Sequence, residues 1–253
     1  MRMKSGMQGL DELIEGGLIK NRTYLVSGPP GSGRTTFGIQ FLIQGALENE
    51  NGLFLSLTET PTNVIKDMSR FKFGIVDQIK AKKIFFMDGR HEVFEDQKKK
   101  TQIDEAEIFD LSAGHTTSKG IFDKLEPIIL KTTIKRLVID STYALSMLGK
   151  TREDGAKQVA KYINTIKQME VTVLLISELD NINDIKFEHY LSDGIFYLHH
   201  FPDEAELNMT RAIQILKMRG TMHDSFLHPI KFHETGLMVL PNKGGDSQRK
   251  AKV

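Results

Sequence analysis

Cysteine is absent from the 253 residues. The chain therefore holds no disulfide, no thiolate metal site and no cysteine nucleophile, which fits a reducing compartment. Charge of one sign is not in excess either: 34 Lys+Arg against 33 Asp+Glu leave a formal net charge of +1. A protein that coats a duplex usually carries a basic excess or a basic face. DNA binding is thus possible through a local patch but not indicated by composition. No apolar run approaches the ~18 residues of a membrane span. The N-terminal stretch MRMKSGMQGLDELIEGG lacks the apolar core of a secretory signal. A cytoplasmic protein with no membrane partner is expected.

What is present suits one large α/β domain or two small ones, with 40% hydrophobic and 26% charged residues. TYLVSG (Thr23–Gly28) reads as a buried strand, and TTFGIQFLIQGALENE as a helix beginning near Arg34, with Phe37, Phe41, Leu42 and Ala46 at helical spacing. GLFLSL (Gly52–Leu57) and KIFFMDG (Lys83–Gly89) are further strands, with a helix from about Thr62 to Phe71 between them. The charged stretch His91–Ser112 reads as a solvated loop or insertion. KGIFDKLEPIILKTTI is helical despite Pro127, KRLVIDS (Lys135–Ser141) is a strand, TREDGAKQVAKYINTIKQME is a capped helix and VTVLLISE is a buried strand. After Asp193, DGIFYLHHF, ELNMTRAIQILKMRG and HPIKFHETGLMVLP alternate apolar and polar residues and predict an antiparallel edge. Alternating strands and helices make a mostly parallel central sheet flanked by helices. No internal repeat or linker divides the chain, so residues 1–241 are expected to form one domain and residues 242–253 a disordered basic tail.

The stretch GPPGSGRTT, Gly28–Thr36, matches the phosphate-binding pattern G-x-x-x-x-G-K-[ST] except that Arg34 stands at the Lys position. Such a loop aims backbone N–H groups and a helix N-terminus at phosphate oxygens. Gly28, Gly31 and Gly33 let the chain turn closely around them. Pro29, Pro30 and Ser32 complete the loop, Thr36 follows on the helix, and Thr35 is placed to put its hydroxyl on Mg²⁺. Strand, glycine-rich loop and helix is the context that the pattern requires. A second motif, RLVIDS, ends a buried strand on Asp140, the usual site of the carboxylate that holds Mg²⁺ through water.

Together with these, GLDELIEGGL, FLSLTETP, SDG and KMRGTMHD occur in the order seen in KaiC-like ATPases, relatives of the RecA-type recombinases. The resemblance covers roughly residues 6 to 240. It implies a RecA-like P-loop core that binds ATP and Mg²⁺ and assembles into homo-oligomeric rings, usually hexamers, with ATP at the interfaces. It also implies that Lys217 and Arg219 of KMRG reach a neighbour's γ-phosphate. Two positions apart on a strand they share one face, the logic of an arginine finger supplied in trans.

The sequence departs from the family twice. Arg34 is longer, planar and forked where Lys supplies a compact ammonium. Thr58-Glu59 stands where the family has paired Glu residues, the first of which polarises the attacking water; Thr58 cannot act as a base. Glu59 is the nearest substitute, although adjacent strand residues point to opposite faces unless a turn before Pro61 intervenes. Losing a well-placed base or charge stabiliser typically costs about 10²–10⁴-fold in rate. The expectation is an ATP-binding regulatory or signalling ring with slow or impaired hydrolysis. The alternatives are an active ATPase or autokinase, and a DNA recombination or repair accessory protein. His199 and His200, adjacent on a strand, face opposite ways and make a poor metal pair.

Overall fold

The computed structural model of the chain describes residues 1–90, 108–110, 120–203 and 208–242. A small antiparallel pair, β1 (Arg2–Met3) and β2 (Leu18–Ile19), leads into the main sheet. That sheet is built from β3 (Thr23–Gly28), β4 (Asn51–Ser56), β5 (Ile84–Asp88), β6 (Ile108–Asp110), β7 (Ile134–Asp140), β8 (Thr172–Glu178), β9 (Gly194–Asp203), β10 (Asn208–Met218), β11 (His228–His233) and β12 (Gly236–Val239). The order across it is β12-β11-β10-β9-β3-β8-β7-β4-β5-β6. From β9 to β6 every pairing is parallel, and β10, β11 and β12 close the other edge with antiparallel pairings.

Helices cover both faces. Along β7, Val138 packs on one side, and Leu137 and Ile139 on the other, as the two-residue period of a strand dictates. The Val138 side is sealed by α1 (Arg34–Leu47), α2 (Pro61–Met68) and α3 (Ile75–Lys80) through Phe37, Phe41, Leu42, Val64 and Ile79. On the Leu137 side lie α4 (Gly120–Lys131), α5 (Thr142–Ser146) and α6 (Arg152–Ile166), through Leu125, Leu145, Val159 and Ile163. A short helix, α7 (Phe187–Leu191), joins β8 to β9. Strands buried on both faces explain why TYLVSG and RLVIDS read as nearly continuous apolar runs.

The expected mostly parallel sheet with an antiparallel C-terminal edge is therefore what forms. Three details differ. β9 belongs to the parallel part, running alongside β3 from Tyr24↔Gly194 to Ser27↔Tyr197, so the antiparallel edge begins only at β10. Within the stretch read as a loop, Ile108–Asp110 pairs with β5 as a parallel edge strand. The rest of His91–Ser112, apart from these three residues, and all of the tail 242–253 except Asn242 lie outside the described residues. The helix expected over Thr62–Phe71 starts at Pro61, with the Thr60 hydroxyl capping Asn63 N–H at 3.1 Å, and ends at Met68.

The open end of the parallel strands is the consequence that matters. Gly28, Glu178, Asp140, Ser56 and Asp88 lie at the C-terminal ends of five adjacent parallel strands. In doubly wound sheets this edge is where ligands bind.

Candidate functional site

β3 ends at Gly28 and α1 begins at Arg34, so residues 29–33 form the loop that the pattern requires. Two of its glycines are needed sterically. Gly28 has φ +152°, and a Cβ there would lie 2.3 Å from the Leu198 carbonyl oxygen. Gly33 precedes α1 at φ +103°, with Phe232 where a Cβ would point. The first-turn N–H groups of α1 lack partners within the helix and face the loop. Ser32 is buried, and its hydroxyl has no partner among the described residues. Thr36 is buried at the start of the helix. Pro29 O accepts the Ser32 N–H at 3.3 Å.

Two side chains from the neighbouring strands tie the loop down from outside. His200 Nδ1 donates to Pro30 O at 3.2 Å and Arg211 Nε donates to Gly31 O at 3.0 Å. They are opposite each other in the β9–β10 register, and the Arg211 guanidinium lies 5.0 Å from the centre of the Phe232 ring. His199, by contrast, meets Gln214 Oε1 at 3.1 Å. The two histidines thus have separate partners.

The centre of the site is a hydroxyl and a carboxylate. Thr35 Oγ1 donates to Asp140 Oδ2 at 2.9 Å. Burial pushes the Asp140 carboxyl up to about 6; the Thr35 hydroxyl opposes this, nearby Glu178 and Glu59 add to it, and Arg34 counters them. Glu59 is therefore part of the same electrostatic neighbourhood. β4 ends at Ser56, and Leu57, Thr58 and Glu59 form a bend held by Ser56 Oγ donating to Glu59 O at 2.6 Å. The face-alternation objection to Glu59 does not apply in that bend. Thr58 and Glu59 are both exposed.

Arg34 does not extend freely over the loop. Its Nη1 donates to Gly28 O and its Nη2 lies 3.7 Å from Glu178 Oε1. Glu178, at the end of β8 beside Gly28, was not singled out from the sequence. The signal was there in LLISE, which ends a buried strand on an acid as LVID does.

Lys217 and Arg219 lie elsewhere. At the end of β10, Met218 pairs with Gly194, which pairs with Tyr24, four residues before Gly28. That is about 13 Å along the strand from the loop of the same chain. A bulge between Ile215 and Lys217 interrupts the strand, and Arg219 lies in the turn beyond Met218, so the two cations are not a simple same-face strand pair as expected. They nonetheless converge: Lys217 Nζ donates to His189 O and Tyr190 O at 3.0 and 3.1 Å, and Arg219 Nη2 to Tyr190 O at 3.3 Å. Burial, with Arg219 adding to it, lowers the pKa of the Lys217 ammonium.

No helix among the described residues is long and apolar enough to cross a membrane. The family model described as the KaiC ATPase matches residues 3–244. The UPF0273 protein of Thermotoga maritima is 28% identical over 253 residues, covering 98% of this chain and 99% of its own. The circadian clock protein KaiC2 of Synechocystis is 29% identical over 244 residues, and the circadian clock oscillator protein KaiC of Prochlorococcus marinus strain MIT 9313 is 26% identical over 245. The chain spans less than half the length of these two, 40% and 46%. Among solved structures, a KaiC-like protein of Pyrococcus horikoshii OT3 superposes with a TM-score of 0.78 at 27% identity, covering 95% of this chain and 99% of the other.

Proposed function

We propose, for a chain that belongs to the KaiC ATPase family, a regulatory nucleotide-binding ring whose subunits hold Mg²⁺ and ATP and hydrolyse ATP slowly. The observation that carries this reading is a contrast inside one site. Thr35 and Asp140 are paired at 2.9 Å at the foot of the loop, as nucleotide binding needs, while the Lys position holds Arg34 and the position of the water-polarising carboxylate holds Thr58.

The residues present fit Mg²⁺ and ATP. The loop's N–H groups and the start of α1 suit phosphate oxygens. The buried Ser32 hydroxyl, without a partner among the described residues, is a polar group inside the loop that a phosphate oxygen would satisfy. Thr35 offers a hard oxygen ligand for Mg²⁺, and Asp140, hydrogen-bonded to it, would hold the ion through water, leaving phosphate and further water to complete its shell. When bound, the metal supplies charge neutralisation between the outer phosphates. The chain's own contribution is to seat the phosphates, orient Thr35 through Asp140, and keep the Glu59 carboxylate close enough for its charge to be felt at Asp140.

Lys217 and Arg219 sit too far along the sheet to serve their own loop. In a ring, a neighbouring subunit's loop is the one they meet, and six subunits of a single domain spanning 1–241 are the arrangement we favour. A second reading, an ordinarily active ATPase, is favoured by Glu59, whose bend frees it from the strand and whose charge is felt at Asp140.

Acid-quenched hydrolysis of ATP with Thr58→Glu and Glu59→Gln variants tests the choice. Slow wild-type turnover that Thr58→Glu raises about 10²-fold supports the slow ring. Ordinary turnover that Glu59→Gln abolishes supports the second reading and overturns the first.

A further inference from the structure

Arg34 and Glu178 explain one another. Gly28 and Glu178 are in register on adjacent parallel strands, so the first residue of the loop and the last residue of β8 lie side by side. The Gly28 carbonyl accepts the Leu179 N–H at 3.2 Å and also accepts from Arg34 Nη1. On the other side of the guanidinium, Nη2 faces Glu178 Oε1 at 3.7 Å. The Arg34 side chain is 13% exposed and that of Glu178 is 33% exposed. The second carboxylate oxygen of Glu178, Oε2, is buried with no hydrogen-bond partner among the described residues.

A lysine would span these two acceptors less well. Its ammonium is a point charge on a flexible stem, whereas the guanidinium is a planar fork whose donors reach two acceptors at once. One arm takes the end of β3 and the other faces the end of β8. Nη1 is then hydrogen-bonded at the foot of the loop, and Nη2 is held beside it by an ion pair longer than a hydrogen bond. They are not committed to the N–H side, from which phosphate oxygens approach.

We propose that Glu178 is a positioning residue that holds Arg34 withdrawn at the foot of the phosphate loop, so that a nucleotide must break the Arg34–Glu178 pair before the guanidinium can join its phosphates. The inference rests on the loop being a nucleotide site and is independent of how fast ATP is hydrolysed. A binding site that is ready only part of the time shows an apparent affinity reduced by the fraction that is ready. The pair is only partly buried, which keeps its strength modest, so the cost in affinity is several-fold, about 3–10.

The test is MgATP affinity by titration calorimetry on the full chain as wild type, Glu178→Gln, Arg34→Met and the double variant. Glu178→Gln tightens binding about 3–10-fold when Arg34 is present. In the Arg34→Met background the same change alters affinity less than about 2-fold, because nothing is left to release. A third variant, Glu178→Asp, keeps the charge and shortens the reach, and it tightens binding as Glu178→Gln does. This separates a broken clamp from relief of charge repulsion and covers the case in which Glu178→Gln does not fold. Equal tightening with Arg34 present and in the Arg34→Met background reduces Glu178 to a through-space repulsion and overturns the inference. Unchanged or weaker binding in Glu178→Gln overturns it as well. Failure of all the folded proteins, wild type included, to bind any nucleotide sinks the nucleotide reading and this inference with it.

Discussion

The Thr35 hydroxyl, at the start of α1, donates to the Asp140 carboxylate at the end of β7 across 2.9 Å, although the two residues are 105 positions apart in the chain. The bond ties loop, helix and sheet into one site. Thr35 is also a candidate Mg²⁺ ligand and Asp140 a candidate holder of the ion through water, so each variant should act on metal-dependent affinity. Thr35→Ala and Asp140→Asn are expected to weaken MgATP binding about 10–100-fold while leaving Mg²⁺-free ATP binding much less affected. Fluorescent-nucleotide titration with and without Mg²⁺ checks this, and equal losses in both conditions would contradict it.

Asp140 also sets a pH dependence. Burial raises its carboxyl from 3.8 to about 6, with Thr35 opposing the shift and Glu178 adding to it. Between those values the folded protein holds a proton that the unfolded chain has released. Stability from this group is therefore full below 3.8 and is lost as pH rises through about 6. In melting curves of the nucleotide-free protein, Asp140→Asn should gain on the wild type across that window. A difference in Tm that does not change with pH would exclude the mechanism.

The convergence of Lys217 and Arg219 on the Tyr190 carbonyl, about 13 Å along the strand from their own loop, makes a prediction about subunits. The double variant Lys217→Ala/Arg219→Ala should keep most nucleotide affinity per subunit and lose hydrolysis by about 10³-fold or more, the scale of a finger supplied in trans. Mixing it with Asp140→Asn subunits should restore some turnover, since mixed interfaces join an intact loop to intact cations. Absence of rescue in assembled mixtures argues against action across the interface.

The fully buried Arg136 belongs to the scaffold. Its Nε and Nη2 donate to Glu50 and Glu48 at 2.8 and 2.7 Å, and its Nη1 to Lys4 O and Phe41 O at 2.8 and 3.0 Å. It pins α1 and the N-terminal segment to β7. Arg136→Met takes the guanidinium away from Glu48, which keeps Gln44, and from the mostly buried Glu50, which keeps Lys20, and it leaves the Lys4 and Phe41 carbonyls without this donor; it should cost about 3 kcal/mol in urea unfolding. Adding Glu48→Gln and Glu50→Gln should recover part of the loss.

Much of this site could be read from the sequence because its signals are local. GPPGSGRTT sits between a buried strand and a helix, and RLVIDS ends on the carboxylate that Thr35 meets. What stayed hidden depends on register. Glu178 ends an apolar strand like many others, and only the pairing Gly28↔Glu178 brings it to Arg34. β9 shows the same alternation whether its neighbours run with it or against it, so its parallel partner β3 was not visible. Ile108–Asp110 is too short to stand out from its charged surroundings. A bulge interrupts β10 before Lys217, and no residue type announces it; the strand then ends at Met218, leaving Arg219 in a turn.

A ring that holds ATP unspent should be visible in a native mass spectrum taken after incubation with Mg²⁺ and ATP. One spectrum reports both the subunit count and the nucleotide. The prediction is an oligomer, six subunits in the favoured arrangement, still carrying ATP. An oligomer carrying ADP would show a competent enzyme and contradict the slow hydrolysis argued from Arg34 and Thr58. A bare monomer would contradict both the ring and the nucleotide site.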